Sequence, residues 1–235
     1  MPSGIRLRSS RQLTLLASLV LASAVAVGLL TLRMLHARNY HYFWLVWNLF
    51  LAWLPAASAL IVYNLHKEHS KVRSILILIC AVGWFFFFPN APYLVTDLMH
   101  LHSRLDAPFW FDLVLLLAFG WTGFFLGIVS LLLMQETVRK RFGARLSWCF
   151  ALLMLGLGSF GIYLGRFLRW NSWDVVFDPF RLFVDVARLV RHPFMHSQTV
   201  AFSVLFGFFF VAMYLTLLAL MNFHQEVREV RSTST

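Results

Sequence analysis

The 235-residue chain is 60% hydrophobic and only 13% charged, with a mean hydropathy of +0.73, whereas a soluble domain carries roughly 25% charged residues. Too little water-facing surface remains for an ordinary soluble globule, and the 25 Phe and 9 Trp suit helix interfaces and the headgroup layer of a bilayer. The net charge of +10 is dispersed in short runs between apolar stretches, which argues against nucleic acid as a partner.

The pattern predicts an all-α fold, a polytopic transmembrane helix bundle of about six spans forming a single integral membrane domain over residues 1–235. The first span, about 13–32, follows Arg6, Arg8 and Arg11. Its Ala22-Ser23-Ala24 resembles a signal-peptide cleavage site, but the apolar run continues to Leu32, which suits a retained helix. The second, 43–63, contains Pro55, which predicts a kink. The third, 72–88, is short, and Pro89 and Pro92 are expected to break it at the membrane surface. Spans four to six follow at 110–134, 146–165 and 199–223. The fourth and fifth carry Gly123/Gly127 and Gly161/Gly165, spacings that let helix backbones approach closely, either within one bundle or in an oligomer. Cys80 and Cys149 lie inside apolar runs and form neither a disulfide framework nor a metal spacing, and no cofactor motif is present.

Sidedness follows from Lys and Arg. Twelve of the twenty fall at the amino terminus, in the second and fourth loops and in the tail, which places both termini in the cytoplasm. All four Glu share that side, and all six Asp lie on the other, where eight Arg give mixed charge suited to pairing. The setting expected is a bacterial inner membrane, with the lipid bilayer as the surrounding partner.

Two outer stretches can carry chemistry. In Phe87–Leu101, Asn90 could cap a short helix with Pro92 in its first turn, held at the interface by Leu94, Val95, Leu98 and Leu101. Tyr93, Asp97 and His100 then fall on one face. In Gly161–Asp174, a continued helix would align Tyr163, Arg166 and Trp170, with Arg169 alongside and Asn171 and Asp174 beyond. Next, Asp178-Pro179 to His192-Pro193 reads as an interfacial amphipathic helix over about 179–191, with Arg181–Asp185 and Asp185–Arg188 able to pair.

The two long motifs, with Asn48-Leu-Phe-Leu-Ala-Trp-Leu-Pro55 and Trp110-Phe-Asp112, resemble the bacterial membrane-protein family catalogued as domain of unknown function 1361, over about residues 45 to 220. The resemblance implies a multi-pass bacterial inner-membrane protein and transfers no catalytic residue.

Three readings of the outer residues follow. Asn90, Tyr93, Asp97, His100, Asp112, Arg166, Arg169, Trp170, Asn171 and Asp174 could bind an anionic lipid or a lipid-linked headgroup, guanidinium meeting phosphate or carboxylate and aromatic rings meeting the apolar portion. Alternatively, Asp97, His100, His192 and His196, with His102 nearby, could assemble an open zinc site for hydrolysis. Alternatively, Asp97, Asp112 and Asp174 simply neutralise Arg166 and Arg169 where helices meet.

Overall fold

The computed structural model describes residues 9–65, 71–102, 106–192, 195 and 197–233; Arg6, Arg8, Arg104, Pro193 and His196 lie outside them. The described residues form helices joined by short loops, with no strand among them, and six helices are long and apolar enough to cross a membrane. These are α1 (Ser9–Ala37), α2 (Trp44–Leu65), α3 (Lys71–Phe87), α5 (Phe109–Phe142), α6 (Ala144–Phe167) and α9 (Ser197–Thr233). Between them lie the one-turn α4 (Asn90–Tyr93), a 3₁₀ segment (Leu94–His100), the one-turn α7 (Asp174–Phe177) and α8 (Pro179–Arg191). α5 is the central element: α1, α2, α4, the 3₁₀ segment and α6 all pack on it, while α3 packs on α2 and α9 on α6. Helix α2 continues through Pro55.

The third apolar segment departs most from expectation. Instead of breaking at the surface, the chain after α3 stays inside the bundle, clasped between α5 and α6. Gly120, Gly123 and Gly127 of α5 lie against Leu94, Ala91 and Pro92, and Gly158, Gly161 and Gly165 of α6 lie against Phe88, Pro89 and Tyr93. The glycine faces of both helices are thus filled by this chain's own 88–95 segment. Pro89 and Pro92 lack the N–H groups that would continue α3, so the Phe88 carbonyl accepts instead from the Ala91 N–H at 3.2 Å. Non-helical backbone is tolerated at membrane depth only where protein surrounds it, which the close approach of the two glycine-bearing helices provides. Asn90 does not cap this turn: Pro89 occupies the N-cap position and no side chain bonds there.

Two further local expectations are corrected. Helix α6 ends at Phe167; Arg169 takes a left-handed conformation (φ 61°), and the Trp170 N–H closes on the Leu164 carbonyl at 3.2 Å. The chain folds back, so Trp170 leaves the face shared by Tyr163 and Arg166. Helix α8 forms where expected, with Asp178 accepting from the Arg181 N–H at 3.4 Å. Its Asp185 does not pair with Arg181 or Arg188, however, but accepts from Trp170 Nε1 at 3.2 Å, while Arg181 lies over the Trp170 ring at 5.6 Å.

Candidate functional site

All the candidate chemistry within the described residues gathers at the bundle end where α1, α3 and α6 finish and α2 and α5 begin. There the structure sorts it into two ion clusters and a cavity.

The first cluster centres on Arg166, whose side chain is 9% exposed, and Asp97, which is fully buried. The 3₁₀ winding places Asp97 and His100 one turn apart on one side, with Tyr93 at the preceding turn. The guanidinium uses its whole fork. Nε and Nη2 donate to Thr96 Oγ1 at 3.1 and 2.7 Å, Nη2 also donates to Asp97, Nη1 donates to His100 Nε2 at 2.7 Å, and the Tyr93 ring lies 4.3 Å below. Arginine has no acceptor, so His100 Nε2 accepts and its proton resides on Nδ1. Asn48, from the second turn of α2, donates to the other Asp97 oxygen at 3.2 Å.

The second cluster centres on Arg33 near the end of α1, which is 1% exposed. It pairs with Asp112 at 3.0 Å and Asp106 at 3.2 Å, donates to Asn39 at 2.6 Å, and lies over the Tyr42 ring at 5.0 Å. Asp106 sits in the loop above. Loss of solvation works against its ionisation, but the hydrogen bond from Asn39 and the charge of Arg33 outweigh that and hold its carboxyl below the ordinary carboxylate value. Tyr42 joins the two clusters, its hydroxyl lying 3.4 Å from the His100 carbonyl and 3.5 Å from Asp112.

The charge pairing expected from the sequence is therefore present with altered partners. Asp97 neutralises Arg166, but Asp112 belongs to Arg33, and Asp174 accepts from the Asn171 N–H at 2.7 Å within its own turn. Arg169 is exposed and has no ion-pair partner among the described residues. Of the residues in the zinc reading, His196 lies outside the described residues and two others are engaged elsewhere. Asp97 and His100 both engage Arg166, and among the described residues no group of three or more His, Cys, Asp or Glu could hold a metal ion.

The cavity, of about 400 Å³, lies on the other side of Tyr93. Leu51 of α2, Phe85 and Phe86 of α3, and Met154 and Leu157 of α6 form its apolar depth. Asn48, Asn90, Tyr93, Asn171 and Ser172 form a polar belt, and Trp170, Trp173, Leu182 and Val186 roof it. Asn90 ties belt to roof, donating to Ser172 Oγ at 2.7 Å. Trp47, Phe85, Phe86 and Leu157 are large apolar side chains that line the cavity and are also exposed. Of the sequence candidates, Asn90, Tyr93, Trp170 and Asn171 line the cavity; Asp97, His100 and Arg166 stand behind Tyr93; Asp112 is in the second cluster; and Arg169 and Asp174 are beside the roof. Sequence reasoning missed Arg33, Asp106 and Asn48 as functional positions. Arg33 and Asn48 carried a signal, a charged or amide side chain within an apolar run, whereas Asp106, in a polar loop, carried none.

A search of solved structures and of curated proteins returns no match to this chain. One family model does match, over residues 47–229, a range that contains α2 through most of α9 and with them the cavity and the Arg166 cluster. On that match the chain belongs to the family described as Protein of unknown function (DUF1361).

Proposed function

We propose that this membrane-integral protein binds a lipid or lipid-linked molecule at its outer end, with the apolar portion held in the cavity. The observation that carries this is the cavity itself. It is mainly apolar, its lining includes the exposed apolar side chains of Trp47, Phe85, Phe86 and Leu157, and its polar groups are confined to one belt. Binding sites for apolar ligands have this composition, with few polar groups that fix orientation. Arg166 does not serve as the anion contact, because Asp97 and Thr96 already take its donors. An anionic group on such a lipid would meet Arg169 instead, the exposed arginine beside Trp170. The ion clusters act as the frame that fixes the belt.

Filling the cavity tests the reading. Leu157→Trp should leave the fold intact and lower the lipid retained by the protein, in native mass spectrometry after release from nanodiscs, by about tenfold. Retention equal to the wild type would overturn it.

The sidedness proposed is both termini in the cytoplasm of a bacterium, with the cavity end facing outward, supported by the excess of Lys and Arg on the terminal side. A reporter active only outside the inner membrane should be silent when fused after Thr235 and active when inserted at 192–196. The reverse pattern would place the cavity in the cytoplasmic leaflet.

A further inference from the structure

The polar belt of the cavity has a hydrogen-bonding capacity that can be read atom by atom. Asp97, ionised against Arg166, only accepts, so the Asn48 amide must turn its Nδ2 toward it. That leaves Oδ1 and one Nδ2 hydrogen of Asn48, a cavity-lining residue, without a hydrogen bond among the described residues. Asn90 spends Nδ2 on Ser172 Oγ, which likewise leaves Oδ1. Ser172 accepts that bond and keeps its own proton to donate, and the Tyr93 hydroxyl makes no hydrogen bond among the described residues. None of the residues lining the cavity is charged.

The lining therefore offers both acceptors (the amide oxygens of Asn48 and Asn90) and donors (the hydroxyls of Tyr93 and Ser172, the spare amide N–H groups, and the indole N–H groups of Trp47 and Trp173) but no charge, and this discriminates between head groups. A phosphate offers only acceptors and negative charge. Inside the cavity it would find donors but no cation among the lining groups, so its charge would be buried without compensation, and it could not satisfy the amide oxygens; both are costly. An alcohol hydroxyl both donates and accepts, so it satisfies amide oxygens and hydroxyls alike. The roof and rim add indole rings at Trp170 and Trp173, with Trp47 6.3 Å from Trp173. The negative faces of such rings attract the polarised C–H groups on one side of a sugar ring.

From this we infer that the head group enclosed by the belt is uncharged and hydroxyl-bearing, a sugar or sugar-like polyol joined to a hydrocarbon chain, and that bare phosphate is rejected there. The inference rests on the lipid-site reading above. It leaves Arg169, outside the belt, as the place where any charged linkage would lie.

The test uses the full-length protein in phosphatidylcholine nanodiscs, titrated with dodecyl β-D-glucoside, dodecyl phosphate and dodecanol, each below its micelle-forming concentration and read by native mass spectrometry. Dodecyl glucoside should bind about tenfold more tightly than the other two. Asn90→Leu and, separately, Ser172→Ala should each weaken it about fivefold and so bring it toward dodecanol, whose single hydroxyl gains less from the belt. Ser172 lies in a loop, so its variant answers the question even if Asn90→Leu fails to fold. Equal or tighter binding of dodecyl phosphate overturns the head-group assignment and leaves the lipid site standing. A glucoside preference that survives both substitutions overturns its assignment to this belt. No binding of any of the three overturns the lipid site as well.

Discussion

Arg166→Gln is expected to cost about 3–5 kcal/mol of stability, the range for stranding one partner of a buried ion pair. The substitution leaves the Asp97 carboxylate fully buried, with Asn48 as its remaining donor. It also removes the bonds to Thr96 and His100 and the cation from above Tyr93. Arg166→Lys should recover only part of the loss, because an ammonium cannot reach Thr96, Asp97 and His100 at once as the planar fork does. Adding Asp97→Asn to Arg166→Gln removes the stranded charge and should restore much of the stability. The measurement is the thermal midpoint of purified protein, with yield from the membrane as a second readout. An Arg166→Gln variant as stable as the wild type would mean the pair does not hold the 3₁₀ segment to α6.

Gly123→Ala should also destabilise, by about 1–3 kcal/mol, although alanine is the better helix former. A Cβ at Gly123 would lie 2.5 Å from the Ala91 carbonyl oxygen and 2.8 Å from Leu94 Cβ, inside contact distance of backbone that has nowhere to move. Gly156, on α6, provides the internal control. A Cβ there meets nothing within 4 Å, so Gly156→Ala should stabilise by up to about 1 kcal/mol. Opposite signs at two helical glycines are the signature of the clasped segment. Should Gly123→Ala melt at or above the wild-type temperature, the 88–95 segment does not sit between α5 and α6 as described.

The helices were legible because composition and run length alone specify them, and α8 was legible from Asp178-Pro179 and its period. Helices α1, α5, α6 and α9 overrun their apolar runs at both ends, as α5 does by carrying Arg139 and Lys140 to pair with Glu136. Spacing also placed Tyr93, Asp97 and His100 together, and they do converge on Arg166. What spacing could not reveal was partnership across the bundle. Arg33, one of the eight outer-side arginines, occupies the last turns of α1 and takes Asp112 from the set expected to neutralise Arg166 and Arg169. The depth of the Pro-Asn-Ala-Pro turn was misjudged for a related reason. Two prolines announce a break, but only the facing glycines of α5 and α6, far away in sequence, show that the break can be buried. The cavity has no local signature, because its walls come from α2, α3, α6 and α8 together.

The buried pair between Asp97 and Arg166 also sets a timetable for making the protein. The two residues are 69 positions apart. At a synthesis rate of about 5–20 residues per second, the carboxylate waits roughly 3–14 s for its arginine. Through that interval Asp97 has no arginine partner; the α5 glycines follow within about 30 residues, but the α6 glycines arrive only with Arg166. Final closure around the 88–100 stretch therefore comes only when α6 arrives with both Arg166 and its glycines.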